Sequence, residues 1–260
     1  MSDSVLYDAG DGVATITFNR PAVMNALDED MLRGFRAAAE RAAAGGSNRV
    51  IVLRGAGPAF VAGGDVAMFR DRVADMATLV PALAGELHHG VLALRRAPQP
   101  VIAAVHGAVA GAGFSIMLAC DLVLAAQETQ FSLAYSRIGA SPDGGATWFL
   151  PRLSGYQRAM ELMLLAETVD AESLQRLGII NRVFPSSQLA AETDRLARRL
   201  AAGPAQAYAE TKALANRALH DGLAAHLDAE ALAFARSAAS SDFAEGVTAF
   251  TEKRKPSFNR

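Results

Sequence analysis

An α/β fold with an all-helical C-terminal part is predicted by three features of this 260-residue chain. Through most of its length, short apolar or β-branched runs alternate with longer helical patterns, the mark of strand–helix–strand units with right-handed crossovers. Two Gly-rich turns each follow such a run and lead into a helix. From about Ser186 the strand-like runs cease, and Ala-rich segments follow, separated by Gly203-Pro204, Asp221-Gly222 and Ser240-Ser241-Asp242. The chain divides accordingly into a core, residues 1–198, and a helical C-terminal region, residues 199–260.

The elements follow in order. Val13–Phe18 (VATITF) alternates β-branched residues after the Gly10-Asp11-Gly12 turn, so Val5–Tyr7 and Val13–Phe18 read as a hairpin. Asp28 caps a helix running to about Ala44, which Gly45-Gly46 ends. Val50–Leu53 is continuously apolar, as a strand covered on both faces must be. A further helix fills roughly Ala74–Arg96. Val101–Val105 and Leu122–Ala125 are two more strands, with a Gly111–Ala119 helix between them. Val101–Cys120 has the length and apolarity of a membrane span. His106, Gly107, Gly111 and Gly113 interrupt it, Asp121 follows directly, and no aromatic residue flanks it, so a buried strand, a turn and a buried helix account for it.

Composition narrows the function classes. Hydrophobic residues make up 51% and charged ones 20%, which excludes a disordered chain. Lys+Arg 25 against Asp+Glu 27 leaves a net charge of −2 with no long basic run, which argues against nucleic acid as a partner. The single cysteine, Cys120, can form neither an internal disulfide nor a Cys-rich metal site, and His88, His89 and His106 lack metal-ligand spacing. No metal is therefore expected. The start, MSDSVLYDAGDG, is acidic and shows no secretory signal, so a reducing, cytoplasmic setting without a membrane partner is the expectation.

Three turns carry candidate chemistry. In Gly111-Ala-Gly113-Phe-Ser-Ile116, Ile116 stands where a dinucleotide fingerprint needs its third glycine, so that reading is rejected. What remains is a helix start whose free N–H groups can stabilise an oxyanion, or simply a close-packed backbone. Phe60-Val-Ala-Gly63-Gly64-Asp65 is a second such turn, and together the two could aim two donors at one carbonyl oxygen. Ser141-Pro142-Asp143-Gly144-Gly145 sets a carboxylate before an apolar helix, Ala146–Leu153. Locally Asp143 reads more readily as a turn or N-cap residue than as a general base in an apolar pocket. The chain has no G-x-S-x-G elbow to support a Ser–His–Asp triad.

Taken in order, VATITFNRP, AGGD, PVIAAVHGAVAGAGFSIMLACDLVLAA, FSLAYSRIGASPDGGATWFLPRLSG and AFTEKRKPSF resemble the crotonase, or enoyl-CoA hydratase/isomerase, superfamily across essentially the whole chain. The resemblance implies a spiral of ββα units with a helical C-terminal trimerisation region, a homotrimer or dimer of trimers, and acyl-CoA substrates. It implies no cofactor beyond the coenzyme A carried by the substrate. The family's oxyanion donors match the backbone N–H groups of Gly64 and Ala112, the latter replacing the usual glycine. Ala22, Val23, Met24 and Ala26, with Ala62, Gly64, Asp65 and Met68, match the path of adenine and pantetheine. Phe250 and Lys253 match a tail that contacts CoA phosphates, and Tyr135 falls in the substrate region.

The acid–base groups depart from the hydratase pattern. Where hydratases carry two glutamates, this chain has Ser115 and Tyr135, neither of them a carboxylate base. Asp143 instead matches the aspartate of isomerases resembling those of the phenylacetate pathway. The resemblance thus implies a double-bond shift, from 3-enoyl-CoA to 2-enoyl-CoA, with Asp143 as acid and base. Three alternatives stand beside it: a 2-enoyl-CoA hydratase using Asp143 alone, a non-catalytic acyl-CoA binder, and an enzyme similar to the 4-chlorobenzoyl-CoA dehalogenases. The last shares the run Arg158–Leu164 (RAMELML), but Tyr135 replaces its tryptophan, and His88 or His89 lies near its histidine with an apparent offset. Acyl specificity is expected to reside in Phe69–His89.

Overall fold

In the computed structural model, which describes residues 3–258, strands Val5–Gly10 (β1) and Val13–Phe18 (β2) form the expected hairpin. Its turn residues Asp11 and Gly12 both have positive φ, 51° and 77°, the combination that an Asp-Gly pair tolerates and that matches strand twist. Asp28 caps helix α1 (Glu29–Ala44), its carboxylate accepting from Met31 N at 2.9 Å. Strand β3 (Val50–Gly55) leads through the first Gly-rich turn to a short helix α2 (Val66–Asp71) and then α3 (Met76–Arg96). The latter starts two residues later than expected because a 3-10 turn, Val73–Asp75, precedes it. Val73–Arg96 is, by length and composition, apolar enough to cross a membrane; here α3 packs along α1 with Leu87, Gly90, Val91 and Leu94 buried.

The apparent membrane span of the sequence is in fact strand β4 (Val101–Val105), a short strand β5 (Ala108–Ala110) and helix α4 (Ala112–Leu118). There follow β6 (Leu122–Ala126), β7 (Gln130–Ser132), α5 (Ala146–Ser154), α6 (Tyr156–Leu165), β8 (Val169–Asp170), α7 (Ala171–Arg176) and β9 (Arg182–Phe184). One sheet has the order β1-β2-β3-β4-β6-β9, parallel except for its hairpin; β5, β7 and β8 form a second.

The continuous apolar runs of the larger sheet follow from burial of both its faces. Ile51, Leu53, Val101, Ala103, Val105, Val123 and Ala125 face the main core under α1, α3 and α4. Val50, Val52, Ile102, Leu124 and Ala126 face a smaller core closed by Leu189 and Ala197 of α8 (Ser186–Ala201). Helices α9 (Ala205–Arg217), α10 (Leu223–Ala238) and α11 (Ser241–Thr251) complete the C-terminal region.

Lys212 ties this region to the core. Its buried ammonium donates to Leu94 O at 2.8 Å and Gln99 O at 3.0 Å, and pairs with Asp121 at 2.7 Å. Burial pushes its pKa down despite the opposing pull of Asp121. Cys120, next to that carboxylate, is buried too, and desolvation pushes its thiol pKa far up, leaving it inert as a nucleophile.

Candidate active site

The first Gly-rich turn is shaped by the segment in front of α1. Leu27 N donates to Gly63 O at 2.8 Å and Asp65 N donates to Leu27 O at 3.0 Å, a parallel bridge of Leu27 with Gly64. In such a bridge the residue between the two bonding partners points its own N–H away, so Gly64 N–H faces outward from Leu27. Gly63 has φ 102°, a conformation side chains rarely adopt, and a Cβ there would press on Ala110 O at 3.3 Å. That close approach sets the first turn against the second. Val61 bridges Val109, and Ala110 N donates to Val61 O at 2.9 Å.

The second turn breaks at Gly111 (φ 48°, ψ −123°), from which α4 starts directly. Phe114 N and Ser115 N reach back to Gly111 O, while Ala112, as the first helical residue, has no intrahelical acceptor for its N–H. Gly113 is indispensable for the fit, since a Cβ would fall 2.2 Å from Val61 O.

Asp143 reaches the same place from the other side. It does not cap α5: Gly145 occupies that position, and the Asp143 carbonyl takes the N–H of Ala146 at 3.2 Å. Gly144 (φ 61°) and Gly145 (φ 92°) turn the chain left-handed, and a Cβ on Gly144 would lie 2.8 Å from Ser115 Cβ. The turn is therefore pressed onto α4, where Ser115 Oγ donates to the Asp143 carbonyl at 2.8 Å. Tyr135 O–H donates to Asp143 Oδ1 at 2.6 Å, and the phenol oxygen lies 3.1 Å from Ser115 Oγ. Oδ2 has no hydrogen-bond donor among the described residues. Burial first, then the adjacent Asp143 charge, raises the Tyr135 pKa far above its ordinary value, so Tyr135 is a neutral donor.

Gly64, Ala112 and Asp143 line one cavity of about 60 Å³, walled by Leu27, Leu32, Phe69, Val80, Leu83, Ala84 and Leu87. One carboxylate, two main-chain donors and apolar walls suit proton transfer next to a polarised carbonyl. The Phe69 ring packs directly on Gly64, where a Cβ would meet it at 2.6 Å. Among the described residues, no group of three His, Cys, Asp or Glu side chains could hold a metal ion.

Residues 8–260 match the family model described as enoyl-CoA hydratase/isomerase. The chain belongs to the enoyl-CoA hydratase/isomerase family. It is 42% identical over 255 residues to a probable enoyl-CoA hydratase of Rhodobacter capsulatus, covering 98% of this chain and 97% of that one. It is 36% identical over 262 residues to the 1,2-epoxyphenylacetyl-CoA isomerase of Escherichia coli, covering 99% of each. The crystal structure of an enoyl-CoA hydratase from Polaromonas superposes with a TM-score of 0.93 at 34% identity, over 98% of this chain and 99% of that one. The fold is thus the crotonase-like α/β spiral, and family membership makes the protein an enzyme of CoA thioesters.

The other sequence-derived positions fall into four groups. Ala22, Val23 and Met24 are exposed, and Ala26 half-buried, on a segment running beside the first turn, with Ala62 N donating to Met24 O at 3.1 Å. Met68 sits on α2 next to Phe69. Asp65 is turned from the cavity: it caps α2 through Met68 N at 3.2 Å and pairs with Arg20 at 3.2 Å. Phe250 and Lys253 stand exposed on and after α11, outside the cavity lining of this chain.

Two residues to which sequence reasoning gave no settled role lie at the site. His88 Nε2 accepts from Gly144 N at 3.4 Å, so of the pair at 88–89 it is His88 that faces the Asp143 turn. The signal was helical spacing, since exposed His88 stands three residues before buried Val91 and four after Ala84 of the cavity wall. Arg20, inside the motif VATITFNRP, pairs with Asp28 at 3.1 Å and Asp65 at 3.2 Å, partners that its local sequence does not reveal.

Proposed function

We propose that this enzyme shifts a carbon–carbon double bond, converting a 3-enoyl-CoA to the conjugated 2-enoyl-CoA. The reading is supported by the single carboxylate of the cavity, Asp143, which Tyr135 holds and which lines the same cavity as Gly64 and Ala112. The Asp143 carboxylate takes one C2 proton, and the C–H electron pair moves into the thioester to give a dienolate. The negative oxygen accepts from the N–H groups of Gly64 and Ala112, each worth about 3–4 kcal/mol of barrier lowering. Asp143, now protonated, returns the proton at C4, C2=C3 forms, and the carbonyl is restored.

Hydration calls for groups that hold and deprotonate a water. Here the two positions that would carry glutamates are a serine and a neutral phenol, both engaged with Asp143. Pantetheine and adenine would run along Ala22, Val23, Met24, Ala26, Ala62 and Met68, where exposed Val23, Met24 and Val66 offer apolar contact. Leu223, Leu227, Leu232, Phe234, Val247 and Phe250 expose apolar surface on α10 and α11, which supports a homotrimer or dimer of trimers through the C-terminal region. In that assembly Phe250 and Lys253 would serve CoA bound to a neighbouring protomer.

A second reading draws support from His88. An imidazole next to the Asp143 turn could activate water toward an ester formed on Asp143, as attack by Asp143 on an aryl-CoA ring would require. One experiment separates the readings: incubation with 2-enoyl-, 3-enoyl- and 4-halobenzoyl-CoA, with products resolved by mass and ultraviolet absorption. The isomerase reading expects an isobaric conjugated product from the 3-enoyl thioester alone. Addition of water to the 2-enoyl thioester, or halide release, would replace it.

A further inference from the structure

Three chain segments meet at the guanidinium of Arg20. Nη1 donates to Ala26 O at 2.5 Å, both Nη atoms lie 3.2 Å from Asp65 Oδ2, and Nη2 pairs with Asp28 Oδ2 at 3.1 Å. Asp28 is the N-cap of α1 and Asp65 the N-cap of α2, so one side chain joins the starts of the two helices that flank the first turn. All three acceptors belong to the protein, which occupies the fork and leaves Arg20 unsuited to hold a substrate phosphate.

The loop beneath it is strained. Met24 and Asn25 have φ of 53° and 57°, left-handed for two successive non-glycine residues. Such conformations persist where surrounding bonds over-determine them, and they cluster at ligand sites. Asn25 supplies those bonds: its buried amide donates to Ala56 O at 2.9 Å, Ala59 O at 2.7 Å and Phe60 O at 3.1 Å, while its Oδ1 accepts from Arg20 N at 2.7 Å. Arg20 thus grips the strained loop through both its main chain and its side chain. Leu27 at the end of that loop is the residue bridged with Gly64.

We infer that Arg20 is a positioning residue for the oxyanion site: through Asp65 and the 24–27 loop it fixes the direction of the Gly64 N–H. The inference rests on Gly64 being an oxyanion donor, and it holds for any reaction of this site that polarises a thioester carbonyl. A lysine cannot replace the arginine, because it lacks the planar fork whose two Nη atoms reach Ala26 O, Asp28 and Asp65 in fixed directions.

The test uses the full-length protein and 4-hydroxycinnamoyl-CoA, whose conjugated carbonyl absorbs at longer wavelength when hydrogen bonds polarise it. In R20K and R20M, the red shift of the bound probe should be mostly lost and kcat on a 3-enoyl-CoA should fall about 100-fold, as a donor misplaced by about 1 Å implies. Affinity for the probe should stay within about threefold, because binding of the CoA moiety is distributed over a long surface. If R20M does not fold, D65N, which keeps the cap but removes the ionic partner, should show the same selective loss. A wild-type-like shift and kcat in these variants would overturn the role of Arg20, as would a loss of probe affinity in proportion to kcat. Absence of any red shift in the unaltered enzyme would instead overturn Gly64 as donor, whatever the variants do.

Discussion

The phenol of Tyr135 donates to Oδ1 of Asp143 at 2.6 Å. This bond orients the carboxylate and leaves its second oxygen without a donor among the described residues, the oxygen that takes the substrate proton in the proposed reaction. The two residues come from opposite ends of one loop, Tyr135 at its start and Asp143 before α5, so the loop is closed on itself by the bond. Replacing Tyr135 by Phe should lower kcat about tenfold or more, since hydrogen bonds to charged groups are worth about 1.5–3 kcal/mol. Steady-state kinetics with a 3-enoyl-CoA would show it, with KM nearly unchanged.

The raised Tyr135 pKa carries a stability prediction. The folded chain keeps this proton at a pH where the unfolded chain, with an ordinary tyrosine pKa of about 10, has lost it. Above that pH the unfolded state binds fewer protons, so stability falls as pH rises. Its contribution is fully present below about pH 10. Denaturant melts between neutral pH and pH 11 should therefore show a shallower alkaline loss in Y135F than in the unaltered protein.

Lys212 offers a separate test, remote from the cavity. Its truncation to Met leaves Asp121 without its closest cation and the carbonyls of Leu94 and Gln99 without a donor. Breaking a buried pair in this way costs about 3–5 kcal/mol. K212M should melt well below the unaltered chain in thermal unfolding. Arg95, 3.5 Å from Asp121 and partly exposed, should cost less when truncated.

Phe69 closes a cavity too small for an enoyl chain, and its ring rests on Gly64. In the proposed reaction the acyl chain would lie where the Phe69 ring packs on Gly64. F69A should accept bulkier acyl groups, with kcat/KM rising for branched or aryl thioesters relative to short linear ones. A substrate-length series measured on both proteins would reveal this as a change in rank order.

Much of the fold was legible because burial leaves clear marks. Val50–Leu53 and Val101–Val105 are apolar throughout, and both faces of their strands are covered. Asp28 and Gly45 bounded α1 correctly because capping is local chemistry. Strands β5, β7 and β8, of two or three residues each, were not foreseen, since their pairing comes from distant segments rather than from any periodicity of their own. At the site, the Gly-rich turns advertised themselves by composition, whereas Asp143 looked locally like a cap. Its bonds to Tyr135, eight residues away, and to Ser115, 28 away, tie it to α4 rather than to α5. Arg20 was invisible for the same reason: its partners are Asp28 and Asp65, and the second lies 45 residues away.

The most direct measurement is single-turnover and steady-state conversion of a 3-enoyl-CoA by D143N, followed by the absorbance of the conjugated product, alongside binding of a 2-enoyl-CoA. Asparagine keeps the shape and can still accept from Tyr135, but cannot shuttle a proton. The account predicts a fall of about 10³–10⁴-fold in turnover with affinity preserved. Retention of most turnover by D143N would contradict it.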